Sequence, residues 1–235
     1  SIDVFRGLTI AAMILVNYPG LYGQSYAPLE HAAWEGVTPT DFIFPFFIFI
    51  MGISVVLSFT KQVQEEKRKT VLIKKIMVRS FELYGIGFFL HFLPNLTVIR
   101  LDWFGVLQRI AIVYFCCSLL FLYTSRKTQL LIFLFLLLGY WIALCFIPTP
   151  EFSAGTIEPG HNFASWFDRL FFAPETLGKR GWNSEGLFST LPAIATGLIG
   201  MFAGYLIQDE KKSEKGIIRL FRSEEHTSEL QSLAY

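Results

Sequence analysis

The 235-residue chain is 53% hydrophobic and only 17% charged, with 25 Phe and a mean hydropathy of +0.47. Soluble domains carry about 25% charged residues, so a water-facing fold and a disordered chain are excluded, and three Cys are too few for a disulfide scaffold. A formal net charge of +1 gives no reason to expect nucleic acid, and the composition is that of an all-α, polytopic bundle in contact with membrane lipid.

Crossing about 30 Å of hydrocarbon as a helix takes about 20 apolar residues. Six stretches read as spans: Gly7 to Tyr22, Phe42 to Phe59, Val71 to Leu93, Phe104 to Tyr123, Leu130 to Ile147 and Leu187 to Ile207. The second, fifth and sixth are uncharged throughout, the third carries Lys74, Lys75, Arg79 and Glu82, and the fourth contains Arg109. The alternation expected of barrel strands is missing, so the spans are helices. Lys and Arg set the orientation. Leu21 to Asp41 contains neither, whereas Lys61, Lys67, Arg68, Lys69, Lys74 and Lys75 crowd the connection from span two to span three. Arg126 and Lys127 mark the next basic turn, and Lys211, Lys212, Lys215 and Arg219 follow span six. The pattern predicts a cytoplasmic N-terminus, with the first, third and fifth connections outside.

Both ends call for care. Ser1 is not a start methionine, so the N-terminus is read as cut. Arg222 to Tyr235 has no apolar period and reads as the translation of a sequencing adapter, leaving residues 1–221 as the authentic, N-terminal part of a membrane domain. The other reading of this stretch is an ordinary polar tail.

Polar chemistry collects at the predicted outer face. Asn17 closes span one before Tyr18-Pro19-Gly20, His31 lies in the first outer loop beside Trp34, and Asp41 opens span two after Thr38-Pro39-Thr40. Gln108 and Arg109 stand about one turn into span four, and Glu185 precedes span six. Imidazole is the favoured acid–base group near neutral pH. Asp41 is either a first-turn acid of its helix or the group that orients His31. Arg109 is either a functional intramembrane charge or glue paired with Glu82 or with backbone carbonyls. Arg109, Glu185 and Trp34 are read as acceptor-binding groups. Trp166 and Trp182, in the long outer connection, are either sugar-stacking rings or interface anchors. No metal is expected, because His31, His91 and His161 lack ligand spacing and no Cys accompanies them. At the inner side, Asp3, Arg6 and the basic run from Lys61 to Lys75 are either the usual positive-inside bias or a seat for a phosphorylated cosubstrate.

Several segments in order resemble the catalytic membrane domain of the heparan-α-glucosaminide N-acetyltransferase family and its bacterial relatives. They are Ser1-Ile-Asp-Val-Phe-Arg-Gly-Leu8, Val16-Asn-Tyr18, His31-Ala-Ala-Trp-Glu-Gly-Val-Thr38 and Asp41-Phe-Ile-Phe-Pro-Phe-Phe-Ile-Phe-Ile-Met-Gly52, followed by Gly105-Val-Leu-Gln-Arg109, Asp168-Arg169-Leu170 and Glu185-Gly-Leu187. The stretch from His31 to Gly52 is the most specific. The resemblance implies an enzyme that takes acetyl from cytoplasmic acetyl-CoA and delivers it to the amine of an amino sugar across the membrane. It maps the catalytic histidine to His31, as base or acetyl carrier, and an active-site asparagine to Asn17; Asp3 and Arg6 fall at the cosubstrate side. Animal members have more helices, which implies a chain truncated near Phe221. A bacterial relative implies the inner membrane with His31 in the periplasm. The acceptor and any homo-oligomer stay open. The rival reading is an amino-sugar transporter, suggested by the intramembrane charges Glu82 and Arg109, though the sequence lacks the repeats such proteins show.

Overall fold

The computed structural model describes residues 2–17, 26, 29–32, 34, 36–65, 68–95, 103–173, 177 and 182–212. The tail from Arg222 to Tyr235 and the Tyr18-Pro19-Gly20 turn lie outside the described residues. All six expected spans are helices: α1 (Ile2–Asn17), α2 (Ile43–Gln64), α3 (Lys69–Asn95), α4 (Val106–Tyr123), α5 (Arg126–Phe146) and α7 (Thr190–Lys212). Four stretches, Pro39–Val63, Val106–Tyr123, Arg126–Phe146 and Thr190–Glu210, are long and apolar enough to cross a bilayer on their own. The described part of α1 is only 16 residues long, and α3 carries four charges in one stretch, so neither qualifies by length and composition alone. The chain is an all-α membrane protein.

Helix ends follow local chemistry. Ser125 Oγ accepts the Thr128 amide at 3.2 Å and caps α5. Pro45 and Pro192 sit in the first turns of α2 and α7, where the missing N–H leaves no bond broken.

The core forms where α2 meets α7. Gly52 and Gly200 allow backbone-to-backbone contact: a Cβ on Gly200 would lie 2.1 Å from Phe49 O, and one on Gly52 would lie 2.2 Å from Gly197 O. Small residues let helices approach this closely in lipid, where packing rather than water exclusion drives association. Ile48, Val56, Val113, Leu198 and Met201 fill the seam. Phe49 faces Gly200, Val56 faces Gly204, and Thr60 Oγ1 donates to Gln208 Oε1 at 3.3 Å, so α2 and α7 run parallel. Helix α4 runs with them, since Val113 meets Gly197 and Phe121 stacks on Tyr205. Helix α5 runs against α7: Tyr140 stacks on Phe188 at one end, and Arg126 grips Asp209 at 2.5 and 3.1 Å at the other.

The long connection after α5 is more ordered than its sequence suggested. Residues Ile157–Glu158 (β1) and His161–Asn162 (β2) pair as an antiparallel hairpin around Pro159 and Gly160, the latter at φ +77°. Asn162 Oδ1 then accepts the Ser165 amide at 2.9 Å and caps a short amphipathic helix, α6 (Phe163–Phe171). The Pro-Gly pair and the Asn cap were the available signals, overshadowed by the much stronger pattern of the spans.

Candidate functional site

At one end of the bundle Asp41 organises the loop that carries His31. It lies in a 3₁₀ turn, Pro39–Phe42, that leads into α2. Its Oδ2 accepts from Thr38 N at 2.8 Å, Thr38 Oγ1 at 3.0 Å and Ala32 N at 3.4 Å. Its Oδ1 faces His31 Nδ1 at 2.7 Å. The two readings of Asp41 are therefore one structure: the acid that closes the helix start also grips the imidazole. An ionised carboxylate only accepts, so Nδ1 carries a proton, and in the neutral ring the Nε2 lone pair is then left free. The His31 side chain is 67% exposed, so Nε2 is open to an incoming molecule.

The same end carries an aromatic layer. Trp34 donates Nε1–H to Ile157 O at 3.0 Å and meets Trp182 edge to face, with centroids 5.5 Å apart. Gly160 is needed beneath this pair, because a Cβ there would stand 2.8 Å from Trp182 Cδ1. The hairpin thus ties the His31 loop to the segment before α7. Trp166 lies elsewhere, against Phe163 on α6.

Arg109, 9% exposed, fastens that segment from below. Its Nη2 donates to Ser184 O at 2.8 Å and to Ser189 Oγ, and its guanidinium lies 5.8 Å from the centre of the Phe44 ring. Of the two glue partners considered from the sequence, carbonyls are right and Glu82 is not. Glu185, half-buried, lies close enough to interact with Arg109 through its charge. Asp168 on α6, only 2% exposed, completes the cluster by accepting Phe188 N–H at 3.0 Å. Burial pushes its carboxyl above the ordinary value, opposed by the amides of Phe188 and Leu187 and by Arg109. Gly186 makes room, since a Cβ there would clash with Asp168 Oδ2. Asp168 was not among the site residues expected from the sequence, although Asp168-Arg169-Leu170 is one of the segments that carry the family resemblance.

Of the expected catalytic groups, His31 and Asp41 come together and Asn17 does not join them among the described residues. Asn17 Nδ2 donates back to Met13 O of its own helix at 2.9 Å.

The second site is a cavity of about 1000 Å³ bounded by α1, α2, α3 and α4. Residues Val71, Lys74, Lys75, Val78, Arg79, Glu82 and Leu83 form one face of α3, at the i, i+3, i+4 spacing that aligns side chains on a helix. Ser54, Ser58 and Gln62 line it from α2, and Ile110 and Tyr114 from α4. Arg6 reaches in to donate to Ser54 Oγ at 2.8 Å, about halfway along α2, while its other amine pairs with Asp3 at 3.1 Å. Asp3 does not line the cavity and acts as the counter-ion of Arg6. The stripe from Arg79 to Ser54 escaped the sequence reading because only packing shows which face of each helix points inward. The cavity donors suit a phosphorylated ligand, with cations and hydroxyls at one end and Phe47, Ile50 and Met51 toward the other. No group of three or more His, Cys, Asp or Glu among the described residues is placed to hold a metal ion.

The chain matches known proteins over most of its length. The family model "Heparan-alpha-glucosaminide N-acetyltransferase, catalytic" matches residues 1–230. The chain is 31% identical to heparan-alpha-glucosaminide N-acetyltransferase of Homo sapiens and 30% identical to that of Mus musculus. Each match covers 94% of this chain and 40% of the relative, so the chain spans well under half the length of these proteins.

Proposed function

The chain belongs to the heparan-alpha-glucosaminide N-acetyltransferase catalytic family, and from that premise we propose that it moves acetyl from cytoplasmic acetyl-CoA to the amine of an amino sugar on the opposite side of the membrane. The observation that carries this reading is the 2.7 Å contact between His31 Nδ1 and Asp41, which leaves an oriented, exposed Nε2 at the mouth of the bundle. In this reading residues 1–221 form the N-terminal part of a transmembrane acyltransferase domain, with the N-terminus in the cytoplasm. His31 faces outward, which is the periplasm if the host is bacterial.

The chemistry follows from the free nitrogen. An amine attacks the thioester carbonyl only when unprotonated. Nε2 takes the proton as the C–N bond forms and the C–S bond breaks, and returns it to the departing thiolate to give CoA thiol. On the covalent route Nε2 itself attacks the carbonyl, the thiolate leaves, and the amine then displaces the imidazole. On either route Asp41 stabilises the positive charge that builds on the ring. Trp34 and Trp182 supply apolar faces for a sugar ring, and Glu185 supplies charge for the ammonium form of an acceptor. Asn17 is the group proposed to donate to the developing oxyanion.

The cavity supports the donor half of the scheme. Its cations include Lys74 and Lys75 at the end predicted to be cytoplasmic, and its far end reaches Ile110, next to Arg109. The test uses the full-length protein in nanodiscs with radiolabelled acetyl-CoA and glucosamine. Labelled N-acetylglucosamine is expected from the wild type and none from His31→Ala. Equal activity in the two would overturn the role of His31, and counterflow of labelled sugar in proteoliposomes without acetyl-CoA would favour a transporter instead.

A further inference from the structure

The charge along the cavity changes sign in one place. Lys74, Lys75 and Arg79 occupy successive turns of the α3 face, and Arg6 joins them from α1 at the level of Ser54. The next inward-facing residue after Arg79 is Glu82, about 4.5 Å farther along the helix axis. Beyond it the opposing walls are apolar: Phe47 and Ile50 from α2 and Ile110 from α4. Among the described residues Glu82 forms no ion pair and no hydrogen bond, and Arg79 turns instead to the Tyr114 ring, 5.4 Å away. Its carboxylate is exposed to this space and does not hold α3 to a neighbouring helix, so packing alone does not account for it.

We propose that Glu82 sets how far an anionic cosubstrate enters: the cations up to Arg79 hold its phosphates, Glu82 repels them beyond that level, and only the uncharged acyl-bearing arm passes toward the His31 end. This rests on the reading of the cavity as the acetyl-CoA site. Glu82 is then a positioning residue. It touches no reacting atom, but it selects which part of an amphiphilic anion lies in the apolar half. The separation from the Lys74–Lys75 level to Glu82, about 10 Å by helix rise, is close to the Debye length in water, and the cavity walls screen it less.

The experiment compares wild type, Glu82→Gln and Glu82→Asp as full-length protein in nanodiscs. Calorimetry measures Kd for CoA and for acetyl-pantetheine, which lacks the phosphate-bearing nucleotide, and acetyl transfer is followed at saturating acetyl-CoA. Removing one like charge at about 10 Å, with an effective dielectric near 20, corresponds to roughly tenfold tighter binding. E82Q is therefore expected to bind CoA about tenfold more tightly, to bind acetyl-pantetheine as the wild type does, and to turn over more slowly because the bound anion sits too deep. E82D retains wild-type affinity. Unchanged CoA affinity in a folded E82Q, or an equal shift for acetyl-pantetheine, would overturn the proposal, and E82N repeats the test if E82Q does not fold. A wild type that binds no CoA, or CoA binding indifferent to Lys75→Gln and Arg79→Gln, would instead remove the cosubstrate reading and this inference with it.

Discussion

Replacing Asp41 with Asn separates the two tasks of that residue. The carboxylate takes three bonds on Oδ2, from Thr38 N, Thr38 Oγ1 and Ala32 N, and one on Oδ1, from His31. An amide has one accepting oxygen. If that oxygen keeps the Thr38 and Ala32 bonds, the NH₂ group faces Nδ1, which must then accept. The ring proton moves to Nε2, and the nitrogen that has to act as base or nucleophile is blocked. In the resting protein this costs little: His31 is 67% exposed, and even a fully charged exposed pair contributes only about 0–1 kcal/mol. During the reaction the ring becomes cationic, and the loss is that of a hydrogen bond to a charged group, about 1.5–3 kcal/mol, or roughly 10- to 150-fold in rate. Asp41→Asn is therefore expected to lower kcat by about that factor, with KM for acetyl-CoA and the melting midpoint nearly unchanged. Asp41→Ala also strands the Thr38 amide and loses a further ~1–3 kcal/mol of stability. Single-turnover transfer of radiolabelled acetyl, paired with a thermal melt, reads both quantities. A kcat for D41N within twofold of wild type would refute the orienting role and leave Asp41 as a helix-start acid only.

Other perturbations address the scaffold and the loops. Gly200→Ala places a Cβ 2.1 Å from Phe49 O and is expected to lose about 1–3 kcal/mol or more by overpacking, seen as a lowered melting midpoint; an unchanged melt would show that α2 and α7 do not cross so closely. Arg109→Ala removes the bonds to Ser184 O and Ser189 Oγ, a loss of about 3–5 kcal/mol for breaking a buried charged network, and Arg109→Lys recovers only part of it; folded yield in detergent measures the effect. Asp168 titrates above its ordinary value because it is buried, so its proton is bound more tightly in the folded protein than in the unfolded one. The wild type should therefore gain stability relative to Asp168→Asn as pH falls from neutral toward the ordinary carboxylate value, and lose it as pH rises through the folded value. Melts at pH 7.5 and 4.5 check the sign. Trp34→Phe keeps an aromatic face, though a smaller one, and loses the 3.0 Å bond to Ile157 O; it is expected to raise the acceptor KM several-fold while leaving acetyl-CoA binding untouched.

The membrane class and the six long helices are legible in the sequence, because predominantly apolar stretches approaching about 20 residues have few alternatives in lipid, even where, as in α3 and α4, a few charges interrupt them. Pairing Asp41 with His31 was also within reach, since a ten-residue separation ending at a helix start limits where the carboxylate can point. Which faces of α2, α3 and α4 enclose the cavity was not, and neither was the contact that brings Gly160, Trp34 and Trp182 together from three segments. Those associations depend on helix rotation and on hairpin chemistry spread over more than 120 residues of chain, and local periodicity carries no information about either. The few charged residues in so apolar a chain could be counted from the sequence; only the packed helices decided that Glu82 faces the cavity and Asp168 the buried start of α7.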